Sequence, residues 1–353
     1  MILLLAPAAS GRAAPGRIDL QAAVLYETNI QEALAEAEES DGTFLRLLGS
    51  TESPPWRPHE RLELDARLRA GLDLYGRLDD ESRWLADLEL NGVWNWRRGR
   101  RFSLQTSLYH QAYPNDDRRD FQRRRLEAGF RRTFPSRWAL SAHVDLHQVR
   151  YFETEAADEG GWGVRLGVAK PLGRGWMGEG FFRLGGDAFN HPSLEATEVN
   201  GEVTYDLGPD RRDAMRTVGL ALGRLRPFVL RCGYAYSARH SNSFGFSQRQ
   251  HELTALISMA LPFDIDLQAL GNLQSTNYTD PGIDTVFVYV PGEVEAREND
   301  NSISLRLRRP LGRGPVFELR SAWFRNESLL VGRFYDKWIV GCAVRWGGRF
   351  EPF

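Results

Sequence analysis

The sequence lacks any run of about 18 apolar residues, so no helix in it can cross a bilayer on its own hydrophobicity. Lysine is nearly missing: of 45 basic residues only Lys170 and Lys337 are lysine, and the rest are arginine. Neither sign of charge is in excess, and a formal net charge of −2 gives no bulk attraction to nucleic acid. Cysteine is scarce. Cys232 and Cys342 lie far apart, each on the apolar parity of its own segment, and read as small hydrophobic side chains rather than a disulfide. No glycine-rich phosphate loop sits between a strand and a helix. His143 and His147, with Asp145 between them, share one face of an extended segment, but four residues of strand span ~13 Å, too far for a shared metal at ~2 Å ligand distances. The residues therefore assign no catalytic constellation, no cofactor and no metal, and the expectation is a protein that is not an enzyme.

What the sequence does contain is alternation. From Arg61 to Gly76 the even positions Leu62 to Leu74 are leucine or alanine, while the odd positions Arg61, Glu63, Asp65, Arg67 and Arg69 are all charged. Successive side chains of a strand point to opposite faces, so this segment has one apolar and one charged wall. Its length exceeds the ~5–6 residues of a usual soluble strand and suits a tilted membrane crossing of ~10 residues or more. Only alternate residues of such a strand need be apolar, which reconciles a membrane reading with 42% hydrophobic and 26% charged residues.

The same beat recurs along the chain. Leu20 to Thr28 and Thr43 to Gly49 predict two early strands, with the acidic stretch Glu32–Asp41 between them as a solvated loop and Pro54, Pro55 and Pro58 marking a connection. Further strands are expected at 83–96, 102–109, 119–134, 137–152, 160–171, 175–189, 195–208, 250–262, 265–278, 300–310, 315–327 and 335–347. The segment 215–238 carries Pro227 and reads as one bent strand or two short ones. The total is about sixteen, with fourteen or eighteen open. Tight turns such as Arg97–Arg100 alternate with longer polar loops, as in membrane barrels. Ser50–His59 is too long and Asp79–Ser82 too short for that rhythm. The apolar run Val286–Val290 in the loop Thr279–Asn299 reads either as a strand extension or as an inward-folding constriction.

Tryptophans fall near strand ends. Trp84 and Trp94 share a parity ten positions apart, which is ~33 Å of strand and, at a tilt of ~40°, ~25 Å of height, the apolar band of such barrels. Trp84, Trp162 and Trp338 are expected at the outer interface, and Trp94, Trp96, Trp138, Trp176 and Trp346 at the inner one. The opposite parity supplies the expected pore lining: Arg61, Glu63, Asp65, Arg67, Arg69, Asp73, Asp87, Glu89, His143, Asp145, His147, Arg165, Glu179, Arg183, Arg306, Arg308, Glu318 and Arg320. Charges on an inward face must be hydrated or paired, which leaves two readings, a water-filled channel or a lumen crossed by arginine–carboxylate pairs. The arginine richness itself follows either from coding-base composition or from a lumen built of always-charged guanidinium groups.

The segment from Arg308 to Trp346, with its Leu311-Gly312-Arg313-Gly314 turn, its strand end at Arg325-Asn326-Glu327-Ser328, its Phe334-Tyr335-Asp336 entry and the C-terminal Phe353, resembles the closing strands of bacterial outer-membrane β-barrels. From Tyr26-Glu27-Thr28-Asn29 onward the chain is similar to barrels found behind tetratricopeptide repeats in polysaccharide exporters and in surface lipoprotein assembly modifiers. In that family the last strand ends in an aromatic residue, a part that Trp346 or Phe350 would play here. The resemblance implies residence in the outer membrane, contact with its lipids, insertion by the barrel-assembly machinery and an association with periplasmic export components. Residues 1–17, beginning Met1-Ile2-Leu3-Leu4-Leu5, read as a signal-peptide remnant or a disordered N-terminus, and 18–353 as one all-β, up-and-down antiparallel transmembrane barrel with both termini in the periplasm. The expected function is a channel for hydrophilic solutes or an exported polymer. A non-conducting barrel that assembles or anchors surface proteins is the alternative.

Overall fold

The computed structural model describes residues 16–28, 41–76, 78–153, 158–199, 202–279, 300–312, 314–328 and 333–350. The alternating segments are strands: β1 (Gly16–Glu27), β2 (Gly42–Glu52), β3 (Trp56–His59), β4 (Leu62–Tyr75), β5 (Arg83–Arg97), β6 (Arg100–Ala112), β7 (Phe121–Thr133), β8 (Ala139–Tyr151) and β9 (Glu159–Gly173). Then follow β10 (Trp176–Val199), β11 (Glu202–Arg224), β12 (Val229–Ser241), β13 (Gln248–Leu261), β14 (Ile265–Tyr278), β15 (Asp300–Pro310), β16 (Val316–Ser328) and β17 (Arg333–Phe350). From β4 onward each strand pairs antiparallel with the next, and β17 returns to β1, with Gly16 opposite Phe350 and Glu27 opposite Ile339. The result is a closed barrel of sixteen strands.

Seventeen strands make sixteen places in the wall because β2 and β3 share one. β2 runs beside β4 from Phe44↔Tyr75 to Glu52↔Arg67, and β3 continues on the same partner with Trp56↔Leu64 and His59↔Leu62. Pro54 and Pro55 fall in the gap, where a residue without an N–H cannot donate to the ladder. The overlong connection Ser50–His59 is thus mostly strand, and the turn that follows it is short. The brief connection Asp79–Ser82 is a single turn of 3-10 helix, Asp79–Glu81, tied to the neighbouring loop by Arg119, whose two guanidinium nitrogens donate to Glu81 at 3.0 Å each.

One region is arranged differently from the expected boundaries. The break expected between 189 and 195 does not exist, because β10 runs through it with only local irregularities at Ala188, Pro192 and Leu194. Likewise 195–208 and 215–238 are not strand units: the first straddles the β10–β11 turn, and the second holds the end of β11 and most of β12. His191 and Pro192 resemble a loop locally, yet pairing with β11 overrides that composition. Three segments were expected and three strands are present, so the total is unchanged while the boundaries move.

The short turns collect at one end of the barrel, the turn end, and the longer connections at the other, the loop end. Turn-end geometry explains its residues. Gly99 has φ +76° and a Cβ there would sit 2.5 Å from the carbonyl oxygen of Thr133, so the Arg97–Arg100 turn requires glycine. Residues 1–15, which hold the expected leader, and 280–299, which hold Val286–Val290, lie outside the described residues; Gly16 and Arg17 already pair in β1.

Among the described residues there is no conventional interior core. Large apolar side chains point outward into the surroundings, among them Leu20, Leu68, Leu74, Leu88, Leu90, Leu146 and Leu220, the last 66% exposed. Cys232 and Cys342 are free and on this outward face. Among the described residues, inward apolar packing includes a small cluster of Ala23, Leu25, Phe44, Tyr75 and Ala343 near the loop end, where the Phe44 and Tyr75 rings stack at 4.6 Å, and a row of inward rings, Tyr109, Phe121 and Tyr151, spaced 5.7 Å apart.

Candidate functional site in the barrel interior

The inward parity of β4 and β5 carries the charges that the alternation predicts, and the antiparallel register sets opposite signs side by side. Arg69 faces Asp87 across the β4–β5 ladder and donates to it, while Asp65 accepts from Asn91 at 2.9 Å. Glu89 accepts from Asn91 and from Gln105, each at 3.0 Å. Glu63 is held by Arg57 of β3 at 3.0 Å. Asp73 is the most enclosed of the set, with no exposed surface: Arg46 of β2 grips both its oxygens at 2.7 Å and Arg83 of β5 adds a third contact at 3.0 Å. This is the planar, two-pronged recognition that a guanidinium offers and an ammonium does not.

On β7 to β12 a second network forms. Glu127 accepts from Arg125 at 3.1 Å and lies 3.2 Å from His143 Nδ1. Arg183 reaches Asp145 at 3.2 Å, and His147 Nε2 sits 3.2 Å from Asp187, so the two histidines have different carboxylate partners. Among the described residues no group of three or more His, Cys, Asp or Glu is placed to hold a metal. Arg165 stacks its guanidinium 4.0 Å above the Phe181 ring, and Glu179 pairs with Arg231 at 2.6 Å. Nearer the loop end, Arg211 and Asp213 pair at 2.8 Å and both are nearly fully buried. The β12–β13 connection covers them: Phe246 lies 3.6 Å from the Arg211 guanidinium, Phe189 lies 4.3 Å from it on β10, and Phe244 N–H donates to the Leu194 carbonyl at 2.7 Å.

The third cluster spans β15 to β17 and β1. Glu318 is 2% exposed and ringed by three arginines: Arg306 at 3.3 Å, Arg308 at 2.9 Å and Arg320. Arg345 pairs with Asp19 at 3.2 Å. This side of the interior therefore carries more cationic than anionic groups, whereas the β4–β5 side does not.

The structure thus brings most of the expected interior residues into mutual contact. Arg61 differs: it lies in the turn entering β4, at the rim, where it donates to the Trp96 carbonyl at 3.2 Å. Sequence reasoning left out Arg46, Arg83, Asp187, Arg211, Asp213 and Arg239 of β12, whose guanidinium lies 3.9 Å from Asp213. Arg46 sits inside a strand whose parity already placed it inward. Asp187 likewise lay inside the expected strand 175–189, on the parity of Glu179 and Arg183, whereas Arg211 and Asp213 fell between the expected segments 195–208 and 215–238.

The tryptophans stand on the outward face near the two ends of the barrel. Trp84, Trp162 and Trp338 are exposed toward the loop end. Trp94, Trp96 and Phe102 cluster at the turn end with ring centroids 5.9 to 6.5 Å apart. There Lys170 lies 4.6 Å above Trp138, and Arg224 lies 5.5 Å from the half-buried Trp176. Trp346 is exposed opposite Leu20.

No protein-family model and no curated protein matches the chain. Solved structures do. A BenF-like porin from Pseudomonas fluorescens Pf-5 superposes with a TM-score of 0.51 at 8% identity, covering 96% of this chain and 100% of that one. OprB of Pseudomonas putida gives the same TM-score and identity over 95% of this chain and 94% of its own. A bacterial polysaccharide outer membrane secretin superposes less closely, at a TM-score of 0.47 and 8% identity, over 94% and 98% of the two chains. At such identity the likeness is one of architecture, and with the closed wall and its two chemically opposite faces it gives this chain the fold of the bacterial outer-membrane β-barrels.

Proposed function

We propose that the chain is a channel of the bacterial outer membrane, passing small hydrophilic solutes along its charged inward face. The observation that carries this reading is the contrast between the two faces of one closed wall. Across the middle of the wall outward side chains are chiefly exposed leucine, valine and tryptophan, inward ones are largely paired ions, and among the described residues no strand or helix occupies the interior. A barrel of sixteen strands is wide enough to leave an aqueous passage. The loop end faces outward from the cell and the turn end, with both termini, faces the periplasm, following the general asymmetry of such barrels. The β12–β13 connection packs onto β10 and β11 at the loop end, which on this reading favours small solutes over a polymer. Outer-membrane lipids and the barrel-assembly machinery are the partners this reading requires, and periplasmic export components remain partners only of a polymer-export version.

Planar-bilayer recording tests the proposal. Purified protein is expected to insert and give stable open steps, with a reversal potential near zero in a potassium chloride gradient because arginine and carboxylate are both present along the interior. Insertion without conductance would overturn the channel reading and favour a barrel that anchors surface proteins.

A further inference from the structure

Outward-facing charge is costly on a barrel except near the membrane interfaces, so where it occurs it reports depth and partner. Toward the loop end, the unpaired outward arginines Arg124, Arg150, Arg212, Arg216 and Arg249 all fall on β7 to β13. The opposite arc of the barrel presents Trp84, Trp338, Leu45 and Val24 instead, and its one loop-end outward arginine among the described residues, Arg325 on β16, is paired with Asp336. Arg124 is braced by Gln122, whose side-chain oxygen accepts from it at 2.8 and 3.0 Å, and none of the five arginines has a carboxylate partner among the described residues.

Register fixes how these arginines sit. One ladder row runs Arg124↔Gln148↔Gly160↔Ala188↔Arg212, so between the two arginines lie Gln148, next to Arg124, and two residues with almost no side chain. Four strand spacings of ~4.8 Å put their backbones ~19 Å apart. The next row toward the turn end runs Leu126↔Leu146↔Trp162↔Gly186↔Ala214. The arrangement is a shallow shelf, cationic at both ends, floored by small residues and resting on the Trp162 indole. Below and beside it the outward face is apolar, with Val218, Leu220, Leu222 and Leu253 all exposed. Within that face Tyr234, opposite Leu220 and Leu253, shares a 2.7 Å hydrogen bond with His251.

We infer that this shelf binds a phosphorylated glycolipid of the outer leaflet, its phosphates taken by Arg124 and Arg212, its sugar lying over Gly160 and Ala188, and its acyl chains on the leucine face below. The inference rests on the membrane orientation proposed above. Arginine suits phosphate because its fork donates two parallel hydrogen bonds to one anion, and basic groups beside a hydrophobic surface are the usual means of holding an anionic headgroup. A cationic shelf confined to one arc fits a specific lipid better than general snorkelling, which would place arginines around the whole circumference.

The test is native mass spectrometry of the detergent-purified barrel with lipid A, with lipid A stripped of its phosphates, and with a zwitterionic phospholipid. Wild-type protein is expected to retain lipid A preferentially, and the double variant Arg124→Gln/Arg212→Gln to bind it at least about tenfold more weakly, as loss of two charge-assisted contacts implies, with binding of the stripped lipid unchanged. Arg124→Lys/Arg212→Lys should recover part of the preference and guards against a folding defect. Equal retention of lipid A by the double variant, or of stripped lipid by wild type, would overturn the site. Conductance measured on the same preparations separates the two proposals: the variants should conduct as wild type does, and a silent but lipid-binding barrel would fail only the channel reading.

Discussion

Replacing Asp73 with asparagine is expected to destabilise the folded barrel by about 3 kcal/mol, because it leaves two guanidinium groups facing one another without the anion that holds them. Asp73 is wholly enclosed, while Arg46 and Arg83 are only partly so. That partial exposure sets the effect at the lower end of what breaking a buried pair costs. Asp87→Asn serves as the comparison. Its partner Arg69 is half exposed, and the loss there should stay below about 1 kcal/mol. Urea unfolding of the refolded protein in lipid vesicles measures both. Equal effects at the two sites would show that Asp73 is no more than another solvated carboxylate.

The second large effect is expected on the other face. Leu88 lies between Trp84 and Trp94 on β5, four residues from the first and six from the second, and its ladder neighbours Leu68 and Leu108 are outward leucines too. Arginine there would stand near the middle of the apolar band, and Leu88→Arg should cost about 2–4 kcal/mol in vesicles. Ser107→Arg, one residue away on the neighbouring strand but on the inward face beside Glu89, should change stability by less than about 1 kcal/mol and alter ion selectivity instead. Equal penalties for the two substitutions would contradict the assignment of faces.

Much of this fold was legible because a membrane barrel writes its architecture locally. A strict period of two over Leu62–Tyr75 or Arg83–Arg97 states both the strand and the face of every residue in it. Tight turns with glycine state which strands neighbour each other. What failed was local too. Pro54-Pro55 and the His191-Pro192 pair look like loop, yet one interrupts a strand that resumes on the same partner and the other lies within a strand, because ladder pairing on the neighbouring strand outweighs the residues' own preferences.

The interior was legible in kind but not in detail. Parity placed Asp73, Asp145 and Glu318 inside, but which arginine meets which carboxylate depends on the stagger between neighbouring strands, which no single strand records. Arg83 and Arg46 reach the same Asp73 from opposite sides only because β4 lies between β2 and β5 in register. The Leu25–Phe44–Tyr75 cluster was missed for the same reason: each is a lone apolar residue on a charged parity, and they become a cluster only when β1, β2 and β4 are side by side.

The central claim is that adjacent residues of one strand meet opposite environments, and β4 offers the most direct test. With Cys232 and Cys342 replaced by serine, single cysteines placed at 64 to 72 would be labelled in reconstituted vesicles with a water-soluble maleimide and, separately, with a lipid-phase quencher on an attached fluorophore. The account predicts strict alternation, odd positions reacting from water and even positions quenched from lipid. Uniform water reactivity along the strand, or even positions shielded from both probes, would contradict it.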